Sequence, residues 1–445
     1  MSIWGRICYA APFVGVGGLQ FLTMMYLMKY ATDVLFIAPA AMGTIFGLGR
    51  IWDAVSDPLV GHLSDGTRSR WGRRRPWLLA AVLPLSLAGL AMWVPPALSG
   101  VALVAWMAVA VLSYFTASTA FSVPHESWAT ELSTDRHERT KIYAARHVAF
   151  LFGMFAGVGI VAVMVGSPAP RRVALVAVLS LIGLAIVGVS LAARFVPNGR
   201  SEAPPRVNAF AAMRLVWRNP HARRLLIVQF IERLGTASLS ALGAYVAHYL
   251  IGDESALPML LVFFAVPSLL FVPVATRLTR RFDKRAVWMA SMALSAAGFG
   301  SLYFVGRGDT AWLCVCAAIT GIGDTCGAVV GSSMLGDVID HDELHTGERR
   351  EGIYFALWGF AQKSAYGGAL LVTGFALQLA GYVPGEPQST ATETLLRLQM
   401  SLVPLLGYLV GLLVMRGYQF GESQHKLVLE QLRSARALAP PAPDS

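Results

Sequence analysis

Apolar runs of membrane-spanning length, separated by short polar breaks, recur along the whole 445-residue chain. About twelve are long enough to cross a bilayer as helices, since ~20 apolar residues span its hydrocarbon core. They cover roughly 8–37, 41–62, 77–97, 101–129, 141–167, 171–196, 222–251, 256–279, 284–306, 310–338, 351–381 and 392–420. The pattern predicts an all-α, polytopic membrane protein with the lipid bilayer as its main partner. The first run is long enough to be kept as a helix, and no cleavage site follows a short apolar core. Composition agrees: 55% of residues are hydrophobic and 14% charged, against about 25% charged in soluble domains.

Net charge is +10, which by itself raises nucleic acid as a partner. The distribution argues against it. Basic residues crowd alternate connections: Arg68, Arg70 and Arg73–Arg75; Arg136, Arg139 and Lys141; Arg200, Arg206, Arg214, Arg218, Arg223 and Arg224. Arg277, Arg280, Arg281, Lys284 and Arg285 continue the series, then Arg349 and Arg350, while the opposite connections hold only Arg171, Arg172 and Arg307. Lys and Arg near helix ends stay in the cytoplasm, so both termini are expected there, in a cell inner (plasma) membrane. No nucleic-acid partner is expected. Cys8, Cys314, Cys316 and Cys326 fall in or near spans without His partners and read as small buried apolar residues.

The longest polar connection, 197–221, carries Pro197, Asn198, Gly199, Pro204 and Pro205 and divides six spans from six. It separates an N-terminal bundle (1–196) from a C-terminal bundle (222–420), and a polar tail follows (421–445) with a helix-like stretch at Leu427–Leu438. The halves echo each other. Glu131-Leu132-Ser133-Thr134, Glu138-Arg139 and Ile142-Tyr143 return as Glu343-Leu344-His345-Thr346, Arg349-Arg350 and Ile353-Tyr354, about 211 residues on. Two six-helix repeats suit alternating access, in which one bundle rocks against the other around a central site. A monomer is expected.

Within the second span, Asp53 and Asp57 sit four residues apart and so share one helix side. A charge at the bilayer centre costs at least about 2.5–3.5 kcal/mol, so paired acids there point to a function. Arg50, one turn earlier, offsets only one of them; the plainer reading is an ion pair that fixes packing. The acids run into a basic loop: Pro58, Gly61, Ser64-Asp65, Thr67, Ser69-Arg70-Trp71-Gly72-Arg73-Arg74-Arg75-Pro76-Trp77.

This array resembles the signature of the glycoside–pentoside–hexuronide:cation symporters, a family of the major facilitator superfamily that includes the melibiose permease. Gly347-Glu348-Arg349-Arg350-Glu351-Gly352-Ile353-Tyr354-Phe355 and Gln362-Lys363 extend the resemblance into the second half. It implies the major facilitator fold and a coupling-ion site at Asp53 and Asp57, which hold Na⁺ if the protein is sodium-coupled. Ser56 takes the position of a neighbour to that site, Thr119 that of a hydroxyl ligand, and Lys363 that of a lysine near the acids. A mid-span ammonium needs a carboxylate partner; snorkelling to the membrane surface is the alternative for Lys363. The resemblance also implies that Asp65 and Arg73, Arg74 and Arg75 brace a cytoplasmic gate, with Asp337, Asp340 and Asp342 as partners across the repeat. The alternative for the arginines is topogenic charge alone.

The sugar-binding acids of melibiose-type permeases are absent, since Gly17 and Ser122 stand at their positions and Glu126 replaces an aromatic residue. Other substrate contacts are candidates: His125 and Glu126 as hydroxyl acceptors, Trp128 as a stacking surface, Arg146 beside His147, and Asp324. Glu126 suits a gate equally well, and Asp324 a structural ion pair. Glu232-Arg233 reads as interfacial.

The expected function is cation-coupled symport, driven by Na⁺ or H⁺, of a small polar solute such as a sugar, glycoside or uronide. Carriage of an amphipathic substrate such as a lysolipid is the alternative, and a non-transporting sensor the remote one. No catalytic residue, metal cluster or nucleophile elbow is found, so no enzyme and no cofactor beyond the coupling ion are expected.

Overall fold

A computed structural model describes residues 1–133, 136–165, 167–198, 209–347 and 350–438, and every regular element among them is helical. The first span is built from α1 (Ile3–Ala10), α2 (Pro12–Met25) and α3 (Leu27–Asp33), interrupted before Pro12 and at Tyr26. There follow α4 (Pro39–Asp65), α5 (Arg75–Trp93), α6 (Gly100–Leu132), α7 (Arg136–Val165) and α8 (Pro170–Phe195). After α9 (Ala209–Arg218), the second half has α10 (Pro220–Tyr245), α11 (Ala256–Arg281), α12 (Lys284–Ser301), α13 (Thr310–Thr346), α14 (Glu351–Leu379) and α15 (Thr390–Arg416). A tail helix, α16 (Glu422–Leu438), packs on α13.

Among the described residues, ten helical segments are long and apolar enough to cross a membrane by length and composition. The other two long helices, α4 and α14, have 27 and 29 residues. They carry Asp53, Asp57 and Lys363, whose polarity lowers the apolar signal where the two halves meet.

Two features differ from the sequence expectation. The linker contains the amphipathic helix α9, and the tail helix begins at Glu422, five residues before the expected Leu427. Thr134 and the Glu348-Arg349 part of the second motif lie outside the described residues, as do 199–208 of the linker.

Packing repeats between the halves. In the first, α2 packs on α7 and α8, α4 on α6, and α5 on α6 and α8. In the second, α10 packs on α14 and α15, α11 on α13, and α12 on α13 and α15. Each partnership of the first half thus recurs six spans later. The halves join through α4 against α14 and, less extensively, α7 against α11 and α2 and α3 against α10.

Glycine makes the α4–α14 seam close. A Cβ on Gly374 would lie 2.4 Å from Pro39 O, and one on Gly43 would lie 2.9 Å from Leu370 O. Without side chains at these positions the backbones approach to contact, as small residues permit between membrane helices. The seam runs from Pro39 and Gly374 down to Asp57 and Lys363; beyond it, at the end bearing the basic loops, Gly352 and Gly359 face open space.

Candidate functional site

The helical spacing of α4 puts Asp53 and Asp57 on the side that meets α6 and α14. Their Oδ1 atoms converge on one hydroxyl: Thr119 Oγ1 of α6 lies 2.7 Å from Asp53 Oδ1 and 3.0 Å from Asp57 Oδ1. Their Oδ2 atoms converge on one ammonium. Lys363 Nζ of α14 bonds Asp57 Oδ2 and lies 3.2 Å from Asp53 Oδ2. Arg50 Nη1 reaches Asp53 Oδ2 at 3.1 Å, and Ser56 Oγ lies 3.5 Å from Thr119 Oγ1. Arg50, Asp53, Ser56 and Thr119 are buried, whereas the Asp57 and Lys363 side chains are 31% and 32% exposed. Lys363 does not snorkel.

The arrangement has a chemical consequence. Two carboxylates face two basic groups, so the cluster is formally neutral as it stands. Thr119 has a single hydroxyl proton for the two acids. The second oxygen pair at Thr119 can be served by a shared hydrogen bond, by a proton on a carboxyl, or by a cation between the oxygens.

A second feature of the first half is a cavity of about 400 Å³ lined by Phe13, Gln20, Tyr143, Arg146, His147 and Phe150. Arg146 lies over the Phe13 ring, 4.3 Å from its centroid, and pairs with Glu126 at 3.2 Å. The Glu126 side chain is 60% exposed, so solvent weakens this pair and leaves Arg146 able to meet an anion. Sequence reasoning found Arg146 and missed Gln20, Tyr143 and the two phenylalanines, which carry no motif. At Gly17, a Cβ would lie 2.8 Å from Phe150 Cδ2. An aromatic ring thus fills the space into which the family's helix-1 acid would project.

Two substrate candidates need correction. His125 is fully buried with Nε2 2.8 Å from the Tyr9 carbonyl oxygen, so this nitrogen donates and cannot accept a solute hydroxyl. Its ring packs on Phe13 and Phe121. Trp128 is 1% exposed, wedged edge-on to Tyr9 with the Arg75 guanidinium over its ring, so no solute can stack there. Asp324 lies in the other half, paired with Arg233 Nη2 at 2.8 Å and bonded by Thr236 at 2.9 Å, away from the Arg146 cavity.

The gate candidates pair differently from the expectation. Arg73 Nη2 and Arg74 Nε each donate to Glu131 Oε1 at 2.8 Å, and Arg74 also bonds Asp65. Arg75 donates to the Val196 carbonyl. Asp337 accepts from Lys284 at 2.7 Å and faces His425 of the tail helix at 3.5 Å. These contacts stay within each half and do not cross the repeat.

The cross-half contacts lie instead at the opposite end. Asp33 accepts from Tyr249 at 3.0 Å, from Tyr382 and from its neighbour Lys29, while Thr32 Oγ1 meets Tyr245 OH at 2.9 Å. Gln378 accepts from the Ala40 amide at 3.1 Å. Among the described residues, the hydrogen bonds and ion pairs joining the halves are these and the Lys363 pairs. At the basic end, Arg73, Arg74 and Asp337 take the partners named above, each in its own half. The Lys29-x3-Asp33 pair in the first apolar run was a legible signal that the sequence reading passed over.

Residues 8–422 match the MFS/sugar transport protein family. The chain belongs to it. A glucuronide carrier protein homolog of Escherichia coli is 24% identical over 92% of this chain and 90% of its own. The sodium-dependent lysophosphatidylcholine symporter 1-A of Danio rerio is 24% identical over 97% of this chain and 88% of its own. The crystal structure of the nucleoside transporter NupG superposes with a TM-score of 0.68, covering 94% of this chain and 100% of that one at 12% identity, which supports the fold alone. The major facilitator chain is an integral multi-pass membrane protein, and its relatives support secondary symport as its class of activity.

Proposed function

We propose that this protein is a cation-coupled symporter of a small polar solute, a sugar, glycoside or uronide, working by alternating access. The observation that carries this reading is the convergence of Asp53 and Asp57 on an ammonium supplied by the opposite half. Na⁺ or H⁺ entering between the carboxylates and Thr119 competes with Lys363 for the same oxygens. Ion binding therefore acts on the contact that holds α4 to α14. With both termini and the basic loops in the cytoplasm, the latch that ties the bundles 1–196 and 222–420 at the opposite end suits an inward-open state. Arg73, Arg74 and Asp337 are then free to cross the repeat and brace the gate when that side closes. Arg146, with Gln20, Tyr143 and His147 around it, holds the solute.

A second reading has its own support. The cavity couples a guanidinium with Phe13 and Phe150 and lacks the acids that bind sugar hydroxyls in melibiose-type permeases. A cationic group beside an apolar wall suits the headgroup and chain of a lysolipid, the substrate class in the name of the Danio rerio relative.

Uptake into proteoliposomes under imposed Na⁺ or H⁺ gradients, with labelled glycosides, glucuronides and lysophosphatidylcholine, tests both. Gradient-driven sugar or uronide uptake lost in Asp57→Asn supports the first reading; lysolipid uptake alone moves the assignment to the second. Movement of none of them, driven by either ion, counts against both.

A further inference from the structure

A second cluster of ionisable side chains lies inside the other half, and the Asp53–Asp57 site makes no use of it. Arg233 of α10 directs its guanidinium at Asp324 of α13, with Nη2 2.8 Å from Oδ1 and Nη1 3.4 Å from Oδ2. Its neighbour Glu232 lies one turn before Thr236, which also bonds Asp324, but the Glu232 carboxyl group turns to α12 instead of the guanidinium. Glu232 is 3% exposed. Oε1 accepts from Trp288 Nε1 of α12 at 2.8 Å, and Oε2 is buried with no hydrogen-bond partner. A Cβ on Gly327 would lie 2.8 Å from Oε2, so glycine there allows the α13 backbone to close over the carboxyl group.

The groups that act on Glu232 come from every helix around it: Arg233 on α10, Asp324 and Cys326 on α13, Tyr408 on α15. Tyr366 of α14 acts on Arg233 and Asp324 beside it. Arg233 is the only basic group in this set, and Asp324 already holds it. Two acids therefore share one guanidinium, and Glu232 is the one shut from solvent, at 3% exposed against 16% for the Asp324 side chain.

We propose that Glu232 is a proton-binding site of the second half, occupied in this conformation and separate from the Asp53–Asp57 site. The proton resides on Oε2, since Oε1 accepts the Trp288 bond. A neutral acid with one unmade hydrogen bond is tolerable in such a place, whereas a carboxylate with a single donor and no free counterion is not. Release of the proton to solvent requires the α10–α13 seam at Gly327 to open, so proton occupancy biases how these helices pack. The two sites share α14: Tyr366, three residues beyond Lys363, is within electrostatic reach of Arg233 and Asp324 and also of Arg50. The proton site adds to the symport reading, yet its occupancy does not depend on what the protein carries.

The test is infrared spectroscopy of the purified full-length protein in lipid nanodiscs, titrated from acid to strongly alkaline pH without substrate. The expected result is a carboxylic-acid C=O band that persists past the ordinary carboxylate range, vanishes in Glu232→Gln, survives in Asp57→Asn and shifts in Trp288→Phe. A wild-type minus Glu232→Gln difference showing carboxylate bands at neutral pH overturns the proposal. Should Glu232→Gln not fold, Trp288→Phe decides: an acid band that moves supports the assignment, and its failure to move overturns it. Because no solute is present, this outcome is separate from whether the protein carries a sugar or a lysolipid.

Discussion

Lys363 and Asp57 join the two halves of the protein: the ammonium on α14 bonds Asp57 Oδ2 on α4 and stays within 3.2 Å of Asp53. A pair that spans the halves responds to their relative motion, which a pair within one bundle does not. In the proposed symport it is the pair that an incoming monovalent cation would disturb first, because the ammonium holds the oxygens that cation needs.

Removing the ammonium leaves two carboxylates with Arg50 alone. Breaking a fully buried pair costs about 3–5 kcal/mol; with both side chains about a third exposed, Lys363→Met is expected to cost about 1–2 kcal/mol. The double variant Lys363→Met/Asp57→Asn should recover most of this, since no unpaired charge then remains. Thermal unfolding of the four proteins of the cycle gives the coupling energy directly. A coupling near zero would show that the contact is incidental.

Thr119 is the hydroxyl on which the two acids converge, so its loss should act on ion binding more than on folding. Thr119→Ser keeps the oxygen and should stay near wild type. Thr119→Val should weaken ion-dependent thermal stabilisation about tenfold in apparent Kd, or about 1.4 kcal/mol. Titrating Na⁺ at fixed pH, and pH without Na⁺, identifies which ion responds. Equal behaviour of Ser and Val variants would remove Thr119 from the site.

Much of the candidate ion site was legible in the sequence because it is local or carried by long motifs. Asp53 and Asp57 announce themselves by helical spacing in an apolar run, and Lys363 by its depth in another. Positions that depend on three-dimensional neighbours were not legible. His125 and Trp128 look like a polar, aromatic patch in one dimension, but helix rotation turns both against the first span, His125 onto Tyr9 and Phe13 and Trp128 onto Tyr9. Asp337 meets Lys284 and the tail helix, a pairing set by three-dimensional neighbours that no motif encodes. Glu232 read as interfacial for the same reason: its depth is set by the packing of α12, α13 and α15 around α10.

The latch opposite the basic end makes a third prediction. Asp33 takes hydrogen bonds from Tyr249 and Tyr382, and bonds to a charged group contribute about 1.5–3 kcal/mol each. Tyr382→Phe and Asp33→Asn should therefore shift the equilibrium toward opening at this end by about tenfold or more. Spin labels on the exposed residues Phe36 and Val383 report the separation by pulsed dipolar spectroscopy. A longer-distance population should grow in both variants, and an unchanged distribution would mean that the latch does not hold the end shut.

The last prediction concerns Gly17, where this chain departs from the melibiose-type pattern. Any Cβ there meets Phe150, at 2.8 Å from Cδ2 and 3.3 Å from Cα. Overpacking of a tight contact costs about 1–3 kcal/mol, so Gly17→Ala should lower the melting temperature. Phe150→Ala in the same chain should restore only part of the loss, because the clash with the ring disappears while the approach to the backbone remains. Transport separates the two substrate readings at the same position. If Phe150 forms the apolar wall for a lysolipid, Phe150→Ala raises KM for that substrate while Na⁺- or H⁺-dependent stabilisation is unchanged. If a sugar or uronide is carried through Arg146, Gln20 and Tyr143, Phe150→Ala changes its KM little and Arg146→Ala abolishes uptake. Loss of ion-dependent stabilisation in Phe150→Ala would show that the ring supports the ion site itself and count against its placement in the solute cavity.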